Sequence, residues 1–514
     1  MRGSLFAKEV LRFVSARRLG IFLVCLAGRV AFLSPPVRAQ EHAFCTFVSP
    51  ASLELARKPV PLLSGIGTWR EEVPSSSGAA RAYFLQGQAL LASYAWIDAA
   101  RSFHEALRHD PELGLAHLGL FRAYAALDAP EEAAEHLDRA KRLARDERSR
   151  LWVRALEAAW EAQRAAPEER AELHLAYKRE VEALVAFDPE DPHAWVLRGN
   201  AEEPSPWGRG QFGGVAAIAF YETALRRDPA HLGALHYLTH SYENIGRPEL
   251  AAEYGRRYAR AAPEVPHAQH MYGHVLPGLG RWEEALLQFE KADRLHRAWA
   301  AREGVPPSED WHFGHNLHLL GALRFRLGRE KEAEAALREA FELRMQGRFA
   351  GVYAANWPEY LLSRGRAAEA LEAAKNLSGR DSPAARMLGA ALEGEALLAL
   401  GRTEEARKAR DRSRGAREEF LASMRGSSLE YGAPAFADHY VGTLEALIDL
   451  AAGRKEQGRE RVLALARNVL GSPRFDSWAF GVFWKARVLE HARRLGEEAL
   501  AQEIASLGGS RPPR

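Results

Sequence analysis

Ala99 and Ala133 lie 34 residues apart, and so do Ala251 and Ala285. Alanines in similar surroundings follow at Ala333 (REKEAEAALREAF), Ala370 (RAAEALEAA) and Ala406 (RTEEARKA). In five of these seven units a glycine stands five residues before the alanine: Gly246, Gly280, Gly328, Gly365 and Gly401. A period of this size marks a unit that buries its apolar face only by stacking on its neighbours. Alanine, leucine, arginine and glutamate dominate while β-branched residues are sparse, so the unit is helical. The glycine is then the turn between two helices, and the alanine marks their crossing.

From Ala80 the residues Gly87, Leu90, Ala99, Phe103, Ala106 and Pro111 occupy positions 8, 11, 20, 24, 27 and 32 of a 34-residue frame. This pattern resembles the tetratricopeptide repeat (TPR). The resemblance implies an all-α fold, a right-handed superhelical solenoid of TPR-like helix–turn–helix repeats. Its expected organisation is an irregular, Pro/Ser/Gly-punctuated lead-in at 40–79, then repeats at 80–144. Long helices and a Gly-rich loop (PSPWGRGQFGGV) follow at 145–230. Repeats resume at 231–437, and degenerate helical pairs with a frayed tail close the chain at 438–514. About 14 extra residues around 296–313 interrupt the second run of repeats, as insertions on a functional face do.

The first 39 residues read differently. They hold seven Lys/Arg against the single acid Glu9, and an apolar run, LGIFLVCLAG, follows Arg17-Arg18. The run is too short to span a bilayer. Val37-Arg38-Ala39 fits a small-x-small cleavage site, so residues 1–39 are expected to be a secretory signal peptide. An uncleaved anchor is the alternative, because Arg29 interrupts the end of the apolar region. Cleavage takes the formal charge from +2 to −4 and leaves Cys45 as the only cysteine. An exported chain, periplasmic or extracellular, with no intrachain disulfide and no cysteine-based metal site is the expectation. No block of basic residues suggests nucleic acid, and no membrane span is expected after cleavage.

Ten of the 19 histidines fall between His231 and His318. With repeats starting at 232, 266 and 314, His236, His270 and His318 share position 5. His240 and His274 share position 9, and His267 and His315 share position 2; Glu243 adds a carboxylate at position 12. In the family resembled, these positions of the first helix line the concave groove where ligands bind, so the residues are expected to form one patch there. The series also resembles a group of exported TPR proteins with the signature H-x3-H-x2-E, H-x2-H-M-x2-H and H-N. It is matched here by His236, His240, Glu243, His267, His270, His274, His315 and Asn316. Where that group has Pro-Ser between Met and His, this chain has Tyr272-Gly273.

Imidazoles with a carboxylate suit zinc, copper, iron or nickel rather than calcium or magnesium. The i,i+4 pairs His236/His240 and His270/His274 let one helix give two ligands to one ion. The metal-ligand set is therefore His236, His240, Glu243, His267, His270, His274, His315 and His318, with room for two ions. Glu243 is the candidate general base if the chain is an enzyme, a question the residues leave open. Asp293 and Asp310 are second-tier acids, and His231 and His312 stand at helix starts. Tyr237, Tyr242, Tyr272, Trp311 and Trp357 are groove walls or core. His104, His109, His136, His174, His296 and His491 read as single polar residues on helices.

Three functions are alternatives at this point. The first is a metal-binding repeat protein serving a protein or peptide partner in the concave groove, within the cell envelope. The second is a metal-dependent hydrolase or oxygenase. The third is a metal-free peptide scaffold. The glycine-rich loop lacks the Lys-Ser/Thr of a phosphate loop, and no G-x-S-x-G is present.

Overall fold

In the computed structural model the described residues are 49–204, 210–343, 350–425, 430, 432–470 and 477–507. They all belong to one unit, Glu41–Arg514. The proposed signal peptide, both cysteines, the middle of the Gly-rich loop and the last seven residues lie outside them. Among the described residues every regular element is a helix, and consecutive helices pair antiparallel along the chain. The fold is the all-α solenoid that the period implies.

The turn between paired helices explains why glycine recurs. Gly246, Gly280, Gly328, Gly365 and Gly401 all take positive φ, between 69° and 74°. In each turn the next residue's N–H reaches back five residues to a carbonyl, as in Arg247 N to Tyr242 O (2.8 Å) and Arg402 N to Leu397 O (2.8 Å). This is the Schellman closure, which satisfies the last carbonyls of a helix and needs one left-handed residue. Gly453 and Gly496 repeat it in the 438–507 region. In the first two repeats the same position is held by Tyr94 and Asp128, both at φ 58°. Each forfeits glycine's freedom, at about 1–2 kcal/mol.

Helix crossings are equally local in origin. A Cβ on Gly87 or on Gly119 would come within 2.6 Å of the Phe103 ring, so Phe103 fills the gap those two glycines leave. Proline opens several helices, at Pro130, Pro248, Pro266 and Pro383, where its missing N–H costs nothing.

The solenoid also folds back on itself. The turn after the Gly78–Ala92 helix packs on the Leu232–Asn244 helix, and the Ser477–Arg494 helix packs on Trp311–Arg326 and Asn356–Ser363. The lead-in, with a short helix at Pro50–Leu55, bridges the first repeat and the middle of the chain. Gln86 holds Pro61 O and Leu63 N, and Arg101 bonds Lys58 O. Gly65 O accepts from Glu264 N at 2.9 Å, while the Trp69 ring stacks on His193. Residues 296–313 tie distant parts of the chain together. They extend one helix to Glu303 and strap it to the first repeat: Trp299 Nε1 donates to Asp98 (2.9 Å) and Arg101 pairs with Glu303 (2.7 Å).

Candidate metal centre

The Leu232–Asn244 helix carries His236, His240 and Glu243, Pro266–Val275 carries His267, His270 and His274, and Trp311–Arg326 carries His312, His315 and His318. The Tyr272-Gly273 departure leaves the second of these helices intact from Pro266. Six of the eight expected ligands gather into two groups of three. His236, His240 and His267 form one trio and His270, His274 and His315 the other, with ligand atoms in each within 4.8 Å of one another.

In the first trio the Nε2 atoms converge. That of His236 lies 3.1 Å from His240 Nε2 and 2.8 Å from His267 Nε2. Ligand nitrogens at 2.0–2.1 Å from a tetrahedral ion stand about 3.3 Å apart. The donors thus need to open by only a few tenths of an ångström. His236 Nδ1 donates to the Ala92 carbonyl (2.7 Å), which fixes its tautomer and leaves Nε2 as the ligating atom. All three rings are buried.

In the second trio two histidines are oriented by side chains. His274 Nδ1 donates to Glu243 Oε1 (2.6 Å). His270 Nδ1 donates to Asn316 Oδ1 (3.1 Å), and Asn316 is itself oriented by donating Nδ2 to Phe289 O (3.0 Å). Glu243 thus orients a ligand, and its other oxygen, Oε2, is buried with no hydrogen-bond partner. His315 is only half-buried and stacks on Tyr353, so this trio is the more open one.

His312 lies between the trios, its ring 4.0 Å from that of His267 and 5.5 Å from that of His270. Its helix-start position in the sequence concealed this placement. His318 falls outside both trios, with Nδ1 accepting from Asn356 Nδ2 (2.6 Å) and its ring against Phe480. Asp310 caps the helix and accepts from His296 Nδ1 (2.7 Å). Asp293 pairs with Arg297, and His231 bonds His193 (2.8 Å). Tyr237, Tyr242, Tyr272 and Trp357 are core residues; the Trp311 side chain lies outside the described residues.

Tyr94 is the residue that sequence reasoning missed. From its left-handed turn in the first repeat the ring reaches His236 (4.5 Å between centroids), His267 (4.9 Å) and His240 (6.3 Å). Its signal was a tyrosine where later repeats carry glycine. Strain of this kind persists only where surrounding contacts hold it.

Burial keeps the first trio's imidazoles and that of His312 neutral, as ligation requires. It pushes His236 down to about 3 despite the bond to Ala92. Burial, followed by neighbouring imidazoles, holds His240, His267 and His312 well below the ordinary value.

A separate cluster joins His104 and His136 with His117. His104 Nε2 meets Tyr124 OH at 2.9 Å, and His117 Nδ1 meets His136 Nδ1 at 3.0 Å. Burial first, then nearby cations and imidazoles, lowers His104 and His117 to about 4 and His136 to about 3. These groups are neutral when folded but take up protons near pH 6.5 when unfolded. The stability they contribute is complete above about pH 6.5 and is lost as pH falls toward 4. The unfolding temperature in chelator should therefore fall below pH 6.5, with a shallower slope in His136→Phe. An equal slope in both proteins contradicts this.

Residues 315–344 match the tetratricopeptide repeat model, a segment that begins at the second trio's His315. No curated protein matches the sequence. Among solved structures, the "Crystal structure of MamA protein" is similar at 18% identity, covering 43% of this chain and 94% of that chain, with a TM-score of 0.21. A similarity at that level does not bear on function. The matched repeat, the period and the Schellman turns agree: this chain carries tetratricopeptide repeats, a scaffold for protein interaction.

Proposed function

We propose that the chain is an exported TPR protein that holds a transition-metal ion at each histidine trio and serves a protein partner in the cell envelope. One observation carries the metal reading. In each trio the ligand atoms of three imidazoles gather within 4.8 Å of one another, and the outer nitrogens of His236, His270 and His274 are tied to a carbonyl, an amide and a carboxylate, the outer support that metal-bound histidine has. The all-nitrogen donor set favours zinc, copper or iron. The first trio, closed over by Tyr94, suits a structural ion; the second, with half-buried His315, suits exchange or chemistry. Export rests on the basic and apolar pattern of residues 1–39. No helix among the described residues is long and apolar enough to cross a membrane.

A second reading, a metal-dependent hydrolase or oxygenase, is favoured by Glu243. An ion at the second trio would supply Lewis acidity. Beside it, Glu243 Oε2 has no hydrogen-bond partner and is placed to take a proton. Glu243→Gln tests both readings. Metal affinity at the second trio should fall about 10–100-fold with the first trio unaffected. Unchanged affinity at both trios contradicts the assigned role of Glu243. Small-molecule turnover that disappears in this variant at saturating metal favours the enzyme.

A further inference from the structure

Behind the Leu232–Asn244 helix lies a separate small cleft, partly open to solvent. Its walls include Trp69, Trp152, Val196, Leu197 and Tyr237, and its polar lining includes Arg122 and Asn200. The donors here outnumber the acceptors. Arg122 has no carboxylate within 4 Å among the described residues, and its one hydrogen bond is a long contact, 3.5 Å, to Gln88 Oε1. The carboxylate that acts on it from a distance is Glu71, which is already engaged by Arg148 (3.0 Å) and Trp69 Nε1 (3.1 Å). Burial pushes the guanidinium below its ordinary value, as expected for a cation short of water and of a counter-charge.

Trp152 is only 8% exposed, and its indole Nε1 is buried with no hydrogen-bond partner. An unmet buried donor costs about 1–3 kcal/mol unless something accepts from it. Asn200 is buried, and its Oδ1 is used by Tyr221 OH (2.8 Å), which orients the amide and leaves Nδ2 as a further donor. The two nitrogens of His193, another lining residue, are committed to His231 (2.8 Å) and Arg70 O (2.9 Å), so it offers nothing to a ligand.

We infer that this cleft binds a small organic carboxylate, its oxygens accepting from Arg122 and Trp152 and its short apolar body lying against Trp69 and Tyr237. Guanidinium matches carboxylate geometry with two parallel bonds, which a neutral ligand cannot use. The enclosed part has room for only one or two water-sized groups, so the head group enters and any longer body stays at the open mouth. The cleft shares Ala92 and Tyr237 with the surroundings of the first trio, but none of the trio histidines lines it. The inference therefore stands independently of metal binding.

The test is ligand-observed NMR on the full chain, with and without metal, using propionate, its isosteric amide propionamide, and inorganic phosphate. Propionate should bind in both states, propionamide should not, and phosphate should bind at least tenfold more weakly than propionate. Arg122→Gln should weaken propionate at least tenfold, and Trp152→Phe, which keeps a ring in the wall, should weaken it several-fold. Circular dichroism checks that both variants are folded. Absence of propionate binding to the wild-type chain, equal binding of the amide, tighter binding of phosphate, or unchanged affinity in folded Arg122→Gln overturns the inference.

Discussion

Arg487→Met lowers the stability of the chain by about 3–5 kcal/mol, read from chemical unfolding followed by circular dichroism. Arg487, Glu359 and Glu395 are each 0% exposed. The guanidinium on the Ser477–Arg494 helix pairs with Glu359 (3.1 Å) and with Glu395, joining it to the Asn356–Ser363 and Pro383–Ala399 helices. Burial opposes the charge on Glu395, but Arg487 and His491 outweigh it and hold the carboxyl below its ordinary value. For Arg487 too, burial opposes the charge and the two carboxylates overcome it. Removing the cation strands two carboxylates in the core, and that uncompensated charge, rather than a lost attraction, is what destabilises. The triple change Arg487→Met, Glu359→Gln and Glu395→Gln should recover most of the loss. A loss below about 1 kcal/mol in the single variant contradicts this account of how the last helices are held. The same helix places Phe480 against His318, so its loosening also opens the flank of the second trio.

Metal binding carries the other large effect. His240→Ala and His274→Ala each remove one of three imidazoles from one trio and leave the other trio whole. Each variant should lose one equivalent of metal of the two bound, with at least about 100-fold weaker affinity at the altered site, beyond what a lost supporting hydrogen bond costs. The first trio also ties the first repeat to the middle of the chain through Ala92 and Tyr94. His240→Ala should therefore raise hydrogen exchange in residues 78–109, and His274→Ala should not. Loss of both equivalents in either variant would mean that the trios form one centre joined through His312.

The repeat was legible because its cause is local. A left-handed turn and a helix crossing impose glycine and alanine at fixed spacing, whatever the partner repeats contain. The histidine set was legible for the same reason, since equivalent helix positions return the same side chains to neighbouring helices. Contacts across the solenoid leave no such trace. Tyr94 and His236 touch although they stand 142 positions apart, so nothing in either segment announces the other. His117 completes the His104–His136 cluster across a repeat boundary, which is why two of its members read as single residues. His318 shares its repeat position with His236 and His270 yet is held by Asn356, a partner supplied by a later helix.

The most direct measurement is the metal content of the chain, purified without a histidine tag and reconstituted with zinc, copper or iron, by mass spectrometry. Two equivalents of one transition metal per chain, falling to one in His240→Ala and in His274→Ala, is the predicted result. Wild-type protein that stays essentially metal-free after reconstitution with all three would contradict the central claim. The trios would then be a hydrogen-bonded histidine core inside a peptide-binding scaffold.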